Sequence, residues 1–349
     1  MASYAPKIKH FQDVTSVSSA LDYVNGLGSE SLLIYSPTSL QHLHVSNAKI
    51  HMIDSRIFGR GAILIKALAQ SKRKYSNIVS LGGGTASDVA KYIAHQSGAT
   101  FTCIPSMLST NAYATNKVAL VVDDEKITLD AKLADRIILD ESLLLTSPQQ
   151  NLYGLADVLS IHTALKDWQL ATEFNSEIIE KGIFDQASNL LDEVKAFILG
   201  CDVNEISHEI PKLFKFIGES GYVTNVYGSG RPESGSEHIF ARALEHRIDI
   251  PHGISVSLGI LLMSLLQDNF SKEIGECVKK LGTLKFIDEH GLTLELIESV
   301  LTDLRPREDR FSIIDREPID AVRAREIVDA FISETDATFF KTNRHALRK

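Results

Sequence analysis

The sequence predicts an α/β N-terminal domain with a doubly wound, mainly parallel sheet, followed by an all-helical C-terminal domain. In residues 1–147, short strand-like apolar runs alternate with helical patterns, and this alternation is typical of a parallel sheet. In residues 148–349, apolar residues recur at helical spacing and strand signals are almost absent. We therefore place the domain boundary at Ser147-Pro148.

The N-terminal domain is predicted to contain five strands that alternate with helices. The strands are Ser31–Tyr35, Ala48–Ile53, Asn77–Leu81, Thr100–Ile104 and Arg136–Leu139. Helices are predicted at Ala62–Gln70 and Ala86–His95. A polar turn between Lys117–Val122 and Lys126–Ala131 indicates a β-hairpin.

The C-terminal domain is predicted from apolar residues that recur at helical spacing. The predicted helices are Leu152–Ala171, Ser176–Leu199, Glu205–Gly218, Ile239–His246, His252–Leu266, Ser271–Leu281 and Ile319–Ile332.

Composition limits the classes of partner. The chain has 349 residues and a formal net charge of -9, with no basic tract, so we expect no nucleic-acid partner. Its three cysteines have no close spacing, which excludes a disulfide framework and a thiolate metal site. The longest apolar run, Val256–Leu266, is too short to cross a bilayer, and the first residues show no apolar signal region. We expect a cytoplasmic protein without membrane insertion.

Gly82-Gly83-Gly84 stands between a predicted strand and a predicted helix, and Asp88 follows it. Consecutive glycines let backbone N–H groups approach a phosphate, and the helix N-terminus favours negative charge. The spacing is not that of the usual dinucleotide fingerprint. A tight strand-to-helix turn without a ligand is an equally good interpretation.

The segment Pro105–Lys117 follows a strand and is rich in hydroxyl and amide side chains. Loops at the carboxyl ends of parallel strands are where open α/β sheets bind ligands. Taken alone, this segment is also consistent with an ordinary polar loop.

Asp157, His238 and His252 are candidate metal ligands. Asp157 lies within an apolar helical stretch, where a carboxylate needs a cation or strong donors. The two histidines stand near the starts of successive helical patterns, and one carboxylate with two imidazoles suits a catalytic divalent metal. Arg231 would supply local positive charge. The alternatives are an exposed acid, a surface histidine and a helix-capping histidine.

In this order, these motifs resemble the superfamily of iron-type alcohol dehydrogenases and 3-dehydroquinate synthase. The likeness is strongest to its sn-glycerol-1-phosphate dehydrogenase branch and extends roughly from Ser31 to Met263. It rests on five motifs: Gly82–Asp88, the hydroxyl loop from Pro105, Leu155–Val158 with Thr163–Trp168, Arg231–His238, and His252-Gly253.

The resemblance implies roles for individual residues. Asp157, His238 and His252 would bind one divalent metal, usually zinc in this branch, with iron and nickel as alternatives. NAD or NADP would be bound by residues that follow the strands, namely Gly82, Gly83, Gly84 and Asp88 at the pyrophosphate and ribose, and Ser106, Ser109 and Thr115 at the nicotinamide. Ser36-Pro37-Thr38 replaces the acidic residue that often selects NAD, so Ser36 and Thr38 would accept either cofactor. We also expect a homo-oligomer.

Departures from the family pattern bear on the substrate, and Lys117, Arg231 and Arg242 point to a small anionic one. Asn111 replaces an aspartate that touches the substrate. Arg242 replaces a histidine four residues after the metal-binding one, so a fixed cation replaces a proton relay. Lys117 matches a lysine of the 3-dehydroquinate synthase loop. With Arg231, these residues are the candidate catalytic residues.

The resemblance leads to three functional hypotheses. The first is a metal-dependent NAD(P)H oxidoreductase that reduces a small phosphorylated or otherwise anionic carbonyl, with dihydroxyacetone phosphate the best single choice and a phosphonate or other anionic aldehyde as an alternative. The second is a sugar-phosphate cyclase with recycled NAD, favoured by Lys117 and Arg231. The third is a nucleotide-binding protein without chemistry, favoured by Asn111 and Arg242.

Overall fold

The structure is a computed structural model that describes most of the 349 residues. The described residues are 14–16, 19–45, 49–58, 65, 74–122, 125–175, 177–308 and 310–335. They form two compact units. Unit 1 lies within residues 1–151 and 207–225, and unit 2 within residues 152–206 and 226–349.

Unit 1 contains a six-stranded sheet in which every strand pair is parallel. The strand order is β1-β8-β5-β4-β2-β3. Its strands are β1 (Val14–Ser16), β2 (Ser31–Tyr35), β3 (His51–Asp54), β4 (Asn77–Gly82), β5 (Thr100–Pro105) and β8 (Arg136–Leu139). The helices between them are α1 (Ala20–Asn25), α2 (Pro37–Leu43) and α3 (Gly84–Ser97), with 3-10 turns at Ser55–Phe58 and Asn111–Tyr113.

The predicted parallel α/β architecture is confirmed. Strands β2 and β8 have the predicted bounds, β4 and β5 each extend one residue further, and β3 begins at His51. Strand β1 was missed because three residues give no periodicity. The helix predicted at Ala62–Gln70 lies outside the described residues except for Ile65.

The strand order places the carboxyl ends of β2 and β4 at a topological switch point. The chain adds β3 on one side of β2, and β4 on the other. In open α/β sheets, ligands bind at such a point, outside the carboxyl ends of the strands. Ser36 and the triple glycine are the residues that follow these two strands.

A hairpin of β6 (Lys117–Val122) and β7 (Glu125–Asp130) is attached to α3 by buried polar contacts. The ammonium of Lys91 is fully buried and donates to the carbonyls of Ala112, at 2.5 Å, and Lys117, at 2.8 Å. Asp88 accepts from the N–H of Ala119 at 3.2 Å and lies 3.8 Å from the Lys91 ammonium. Burial lowers the pKa of Lys91, while the charge of Asp88 opposes that shift.

Most described residues after β8 are helical. The helices are α4 (Glu141–Leu144), α5 (Pro148–Leu159), α6 (Ile161–Asn175), α7 (Lys181–Gly200), α8 (Val203–Ile206), α9 (Ile210–Tyr227), α10 (Ser236–Glu245), α11 (His252–Leu266), α12 (Lys272–Leu281), α13 (Leu294–Asp303), α14 (Ile313–Arg316) and α15 (Ala321–Glu334), with a 3-10 helix at Thr283–His290. Helix α11 is buried along nearly its whole length, which explains its almost continuous apolar sequence.

The helical prediction is confirmed in outline and differs at several boundaries. The predicted helix Leu152–Ala171 is two helices, because the chain turns at Ser160, whose hydroxyl donates to the carbonyls of Asp157 and Glu233. Pro148 opens α5 directly after Ser147, a position where its missing N–H costs nothing. None of the described helices is long and apolar enough to span a bilayer.

The division into two units differs from the single predicted boundary in one segment of the chain. Residues 207–225 group with the N-terminal unit rather than with the other helices. Side chains explain this grouping: the Tyr113 hydroxyl donates to the carbonyl of Phe214 at 2.6 Å, and the Asn225 amide donates to the carbonyl of Ala114 at 2.9 Å. No periodicity in the sequence reveals contacts of this kind.

We predict that Lys91→Met lowers the free energy of unfolding by about 2–4 kcal/mol. The substitution leaves two buried carbonyls without a donor and the Asp88 carboxylate without its cation. Urea unfolding measures the change. The control is Lys74→Met, which removes an exposed ammonium from the same unit and should change stability by less than about 0.5 kcal/mol. Equal stability of the two variants would contradict the anchoring role of Lys91.

Candidate active site

The three predicted metal ligands lie together in unit 2. One ligand atom each from Asp157, His238 and His252 lies within 4.8 Å of the others. Asp157 Oδ1 is 3.1 Å from His238 Nε2 and 3.6 Å from His252 Nε2. Their side chains are 14%, 12% and 26% exposed, so the cluster is largely shielded from water.

Each ligand stands on a different helix, and glycines allow those helices to approach. Asp157 lies in the last turn of α5, His238 in the first turn of α10, and His252 opens α11. A Cβ on Gly253 would lie 2.3 Å from the Cβ of Tyr153 on α5. A Cβ on Gly259 would lie 2.6 Å from the Glu237 carbonyl on α10. Larger side chains at these two positions would separate the helices that carry the ligands.

The far nitrogen of each imidazole contacts a second carboxylate. His238 Nδ1 is 2.7 Å from Glu237 Oε1, and His252 Nδ1 is 2.5 Å from Glu245 Oε1. These contacts leave both Nε2 atoms directed at Asp157. Carboxylates in this position fix the tautomer and ring orientation of metal-binding histidines. Glu237 and Glu245 were missed by sequence reasoning, although an acidic residue directly before a candidate ligand histidine was the available signal for Glu237.

Hydrogen bonds hold the two supporting carboxylates in place. Glu237 is fully buried, and it accepts from the N–H of Gly235 at 2.7 Å and the hydroxyl of Thr163 at 2.6 Å. Glu245 accepts from the hydroxyl of Ser255 at 2.7 Å. The supporting shell is therefore built from helices α6, α10 and α11.

The electrostatics of the cluster suit a cation between the three ligands. Burial alone would raise the pKa of Asp157, but the two imidazoles outweigh it and hold that pKa well below its usual range. Burial alone would lower the pKa of His238, but Asp157 and Glu237 outweigh it and raise it to about 9. The pKa of His252 is raised in the same way, by Glu245 and Asp157. Metal binding must displace these protons, since only neutral imidazole is a ligand.

The chemistry and convergence of these donors fit a divalent metal. Two imidazole Nε2 atoms and one carboxylate oxygen converge, while both Nδ1 atoms are held from behind. This donor set is used by zinc, and by other divalent metals in sites with open positions.

Arg231 and Asp167 form a buried network beside the cluster of Asp157, His238 and His252. The Arg231 guanidinium donates to the carbonyls of Phe311, at 2.7 Å, and Asp167, at 3.2 Å, and pairs with Glu177 at 3.0 Å. Asp167 accepts from the N–H groups of Ser236, at 2.6 Å, and Ile313, at 2.8 Å. These contacts give Arg231 a structural role.

In unit 1, the triple glycine forms a cradle at the start of α3. Gly82 ends β4, Gly83 caps the helix without a side-chain hydrogen bond, and Gly84 is its first residue. A Cβ on Gly82 would lie 2.8 Å from the Cβ of Ala86. The absence of side chains at Gly82, Gly83 and Gly84 suits a pyrophosphate at this helix N-terminus.

Further predicted cofactor residues surround this cradle. Ser106 follows β5, donates its N–H to the Gly82 carbonyl at 3.1 Å and accepts from the Ser39 hydroxyl at 2.7 Å. Ser36 follows β2 and donates its N–H to the Leu81 carbonyl at 2.9 Å. Ser39 was missed by sequence reasoning. Carboxyl ends of three neighbouring strands therefore converge here.

Other predicted residues have structural partners. Thr115 is buried and bonds the backbone of Lys117, and Asp88 bonds the hairpin as described above. Lys117 forms an ion pair with Asp130, its neighbour across the hairpin. The Asn111 amide donates to the Ser220 hydroxyl at 3.0 Å.

The remaining predicted residues differ in exposure. Ser109 is half-buried in the loop after β5, and Thr38 is exposed near the start of α2. Arg242 is half-buried on α10, one turn after His238.

Comparison with known proteins agrees with this geometry. A family model described as iron-containing alcohol dehydrogenase matches residues 40–148. A glycerol-1-phosphate dehydrogenase (NAD(P)+) of Sulfurisphaera tokodaii is 30% identical over 260 residues, which cover 72% of each chain. The chain belongs to the iron-containing alcohol dehydrogenase family. The resemblance inferred from the sequence motifs is thereby confirmed.

Two further likenesses extend over more of the chain. A glycerol-1-phosphate dehydrogenase (NAD(P)+) of Pyrococcus horikoshii is 28% identical over 311 residues, covering 84% of this chain and 88% of the relative. The crystal structure of a probable glycerol dehydrogenase from Sinorhizobium meliloti matches with a TM-score of 0.68 and covers 93% of this chain and 98% of that one. Its 17% identity limits that likeness to the fold.

We predict that Glu237→Gln raises the dissociation constant for Zn²⁺ by about 10- to 100-fold. The amide keeps the shape of the side chain but removes the charge that raises the basicity of His238, and loss of such a partner weakens metal binding by about this factor. Competition with a chromophoric chelator measures the constant.

Glu295→Gln is the matched control for that experiment. Glu295 is exposed on α13 of the same unit, so its loss should leave zinc affinity unchanged within about twofold. Equal zinc affinities of the Glu237 and Glu295 variants would contradict the supporting role.

We predict a pH-dependent contribution of Asp167 to stability in the metal-free protein. Burial, followed by the nearby charge of Glu237, raises the pKa of Asp167 from 3.8 to about 6. Between these pH values the folded chain therefore binds more protons than the unfolded chain. The contribution of Asp167 to the free energy of unfolding is complete below pH 3.8 and is lost as pH rises through 6. A shift of this size corresponds to at most about 3 kcal/mol.

Urea unfolding of the wild type and Asp167→Asn at several values between pH 4.5 and pH 7 measures this contribution. The stability of the wild type relative to the variant should fall as pH rises through this interval. A constant offset would fit the loss of one side-chain acceptor for a backbone N–H, and it would contradict the raised pKa.

Proposed function

We propose that this protein is a metal-dependent NAD(P)H oxidoreductase that reduces dihydroxyacetone phosphate to sn-glycerol 1-phosphate. The observation that carries the proposal is the cluster of Asp157, His238 and His252, with each imidazole supported by a carboxylate. The choice of substrate is supported by relatives named glycerol-1-phosphate dehydrogenase.

We propose zinc as the metal, held by Asp157 Oδ1 and the Nε2 atoms of His238 and His252. A bound divalent metal supplies Lewis acidity toward a carbonyl oxygen. Glu237 and Glu245 would keep both imidazoles in the tautomer that presents Nε2. The low exposure of the three side chains would limit competition by bulk water.

We propose that the triple glycine holds the pyrophosphate of NAD(P)H, which supplies the hydride. The N–H groups at the start of α3 would donate to the phosphate oxygens. Ser36 and Ser106 come from the neighbouring strand ends and would line the same cradle. Thr38 and Ser109 lie near these strand ends and stay candidate contacts.

We propose that Arg242, one of the predicted catalytic residues, binds the phosphate of the substrate. Residues four apart share a face of a helix, so Arg242 lies on the face of α10 that carries His238. Reduction of the carbonyl consumes one hydride and one proton. Arg242 cannot release that proton because guanidinium stays protonated, so we infer that water delivers it.

The alternative functions receive less support. Lys117 favoured a sugar-phosphate cyclase, but it forms an ion pair with Asp130 in the hairpin. Arg231 favoured the same class, but its guanidinium is buried among carbonyls and Glu177. Reduction of a phosphonate or another anionic aldehyde uses the same residues and is separated by the substrate screen below. A homo-oligomer and a cytoplasmic location stay predictions.

The test is NADH and NADPH oxidation by the purified protein with dihydroxyacetone phosphate, dihydroxyacetone and anionic aldehydes. We expect turnover with dihydroxyacetone phosphate, loss of turnover after chelation, and recovery with Zn²⁺. Arg242→Met should raise the KM for dihydroxyacetone phosphate by about tenfold, because one charged hydrogen bond is lost. The affinity for zinc should not change.

Three results would contradict this proposal. Turnover of dihydroxyacetone phosphate that survives complete metal removal would exclude the metal from the reaction. Preference for dihydroxyacetone or for an anionic aldehyde would exclude the proposed substrate. Release of inorganic phosphate without net cofactor oxidation would instead support the cyclase.

A further inference from the structure

An ion pair stands at the carboxyl end of β3, outside every role considered above. Asp54 is the last residue of β3, and Arg56 lies in the 3-10 turn that follows. Arg56 Nε is 2.9 Å and Nη2 is 2.6 Å from Asp54 Oδ2, and the Arg56 N–H donates to Asp54 Oδ1 at 2.9 Å. Arg56 is 74% exposed and Asp54 is 16% exposed, so the pair presents its cation to solvent.

The sheet places this pair in line with the glycine cradle. Leu81 on β4 pairs with Tyr35 on β2, and Tyr35 pairs with Asp54 on β3. Neighbouring strands are about 4.8 Å apart, so the end of β3 lies about 10 Å from the end of β4. The 3-10 turn also contacts helix α3, which begins at the triple glycine.

The proposed cofactor orientation directs the adenosine half toward this pair. If the pyrophosphate lies at Gly82–Gly84 and the nicotinamide lies beside the loop after β5, the adenosine extends in the opposite direction. The strands on that side are β2 and then β3. The 2′-position of the adenosine ribose separates NADP(H) from NAD(H), and a nearby arginine is the usual means of accepting a phosphate there.

Arg56 supplies a cation at these strand ends. Within the segments Ser36–Thr38, Ser55–Phe58 and Gly82–Gly84, Arg56 is the one charged residue. Asp54 engages Nε and Nη2, so Nη1 makes no hydrogen bond to any residue in the described part of the chain. Asp54 therefore orients one end of a side chain that is 74% exposed.

We propose that Arg56, held in position by Asp54, binds the 2′-phosphate of NADP(H). This inference rests on the proposed use of NAD(P)H. A guanidinium matches two phosphate oxygens in its planar fork. Asp54 limits the rotation of the side chain, which reduces the entropy lost when the phosphate binds. The site needs no change elsewhere to accept NAD(H), because the adenosine ribose of NAD(H) carries no 2′-phosphate.

The test is titration of NADH and NADPH into the full-length protein, followed by nicotinamide fluorescence in the absence of substrate. Arg56→Ala should raise the Kd for NADPH by about tenfold or more, equivalent to about 1.4 kcal/mol, and leave the Kd for NADH within about twofold. Arg56→Lys should retain part of the NADPH affinity, because it keeps the charge but loses the planar fork. Higher ionic strength should narrow the difference between the wild type and Arg56→Ala for NADPH.

The matched control is Arg136→Ala. Arg136 is an exposed arginine at the amino end of β8, which is separated from β3 by β5, β4 and β2 in the same sheet. Its loss removes the same charge and should change neither Kd.

Equal weakening of both cofactors by Arg56→Ala, or no weakening of either, would overturn the inference while leaving NAD(P)H use intact. A wild-type protein that binds neither cofactor would overturn the proposed function and this inference together.

Discussion

Two imidazoles and one carboxylate converge at a place largely shielded from water, and much of unit 2 serves to keep them there. His238 and His252 approach the same oxygen of Asp157 from different helices. Helices that carry such ligands must pack closely, and Gly253 and Gly259 remove the side chains that would separate them. Glycine at these positions costs helix stability. That cost is offset by contact between the helices, and the result is a site with defined geometry.

The balance of charge around the cluster explains why the histidines are supported by carboxylates. Asp157, Glu237 and Glu245 are three acids gathered around two imidazoles. In the metal-free protein the imidazoles can balance them only by taking up protons, as the raised pKa values of both histidines indicate. A divalent cation would replace those protons and leave the surrounding hydrogen bonds unchanged. The same carboxylates would thus stabilise the metal-free cluster in its protonated form and a metal-bound cluster in its neutral-imidazole form.

Features with strong local signals could be predicted from the sequence, and features that depend on tertiary contacts could not. The buried strand Ser31–Tyr35 and the apolar helix His252–Leu266 have the predicted bounds, because burial on several sides leaves a continuous apolar run. The break at Ser160 was not predicted, since it depends on a hydroxyl bond to the carbonyl of Glu233, distant in sequence. The Asp157, His238 and His252 cluster was predicted from motifs, whereas Glu245 was not, because its position seven residues before His252 indicates no contact until the helices pack.

Several charged residues that the sequence motifs predicted to bind ligands instead have partners within the protein. Asp88, Lys117 and Arg231 each have partners within the protein: a hairpin N–H, a cross-strand carboxylate, and a set of buried carbonyls. A charged residue near a binding loop can either pair within the protein or bind a ligand. Residue type alone does not distinguish these two uses. Burial favours the structural use, because a buried charge must be paired before any ligand arrives. An exposed charge is accessible to a ligand. Arg242, which is half-buried, and Arg56, which is exposed, are therefore better placed than buried Arg231 to contact a phosphate. The glycine cradle does not face this choice between an internal partner and a ligand. Its backbone N–H groups carry no net charge and require no counter-ion before a ligand binds.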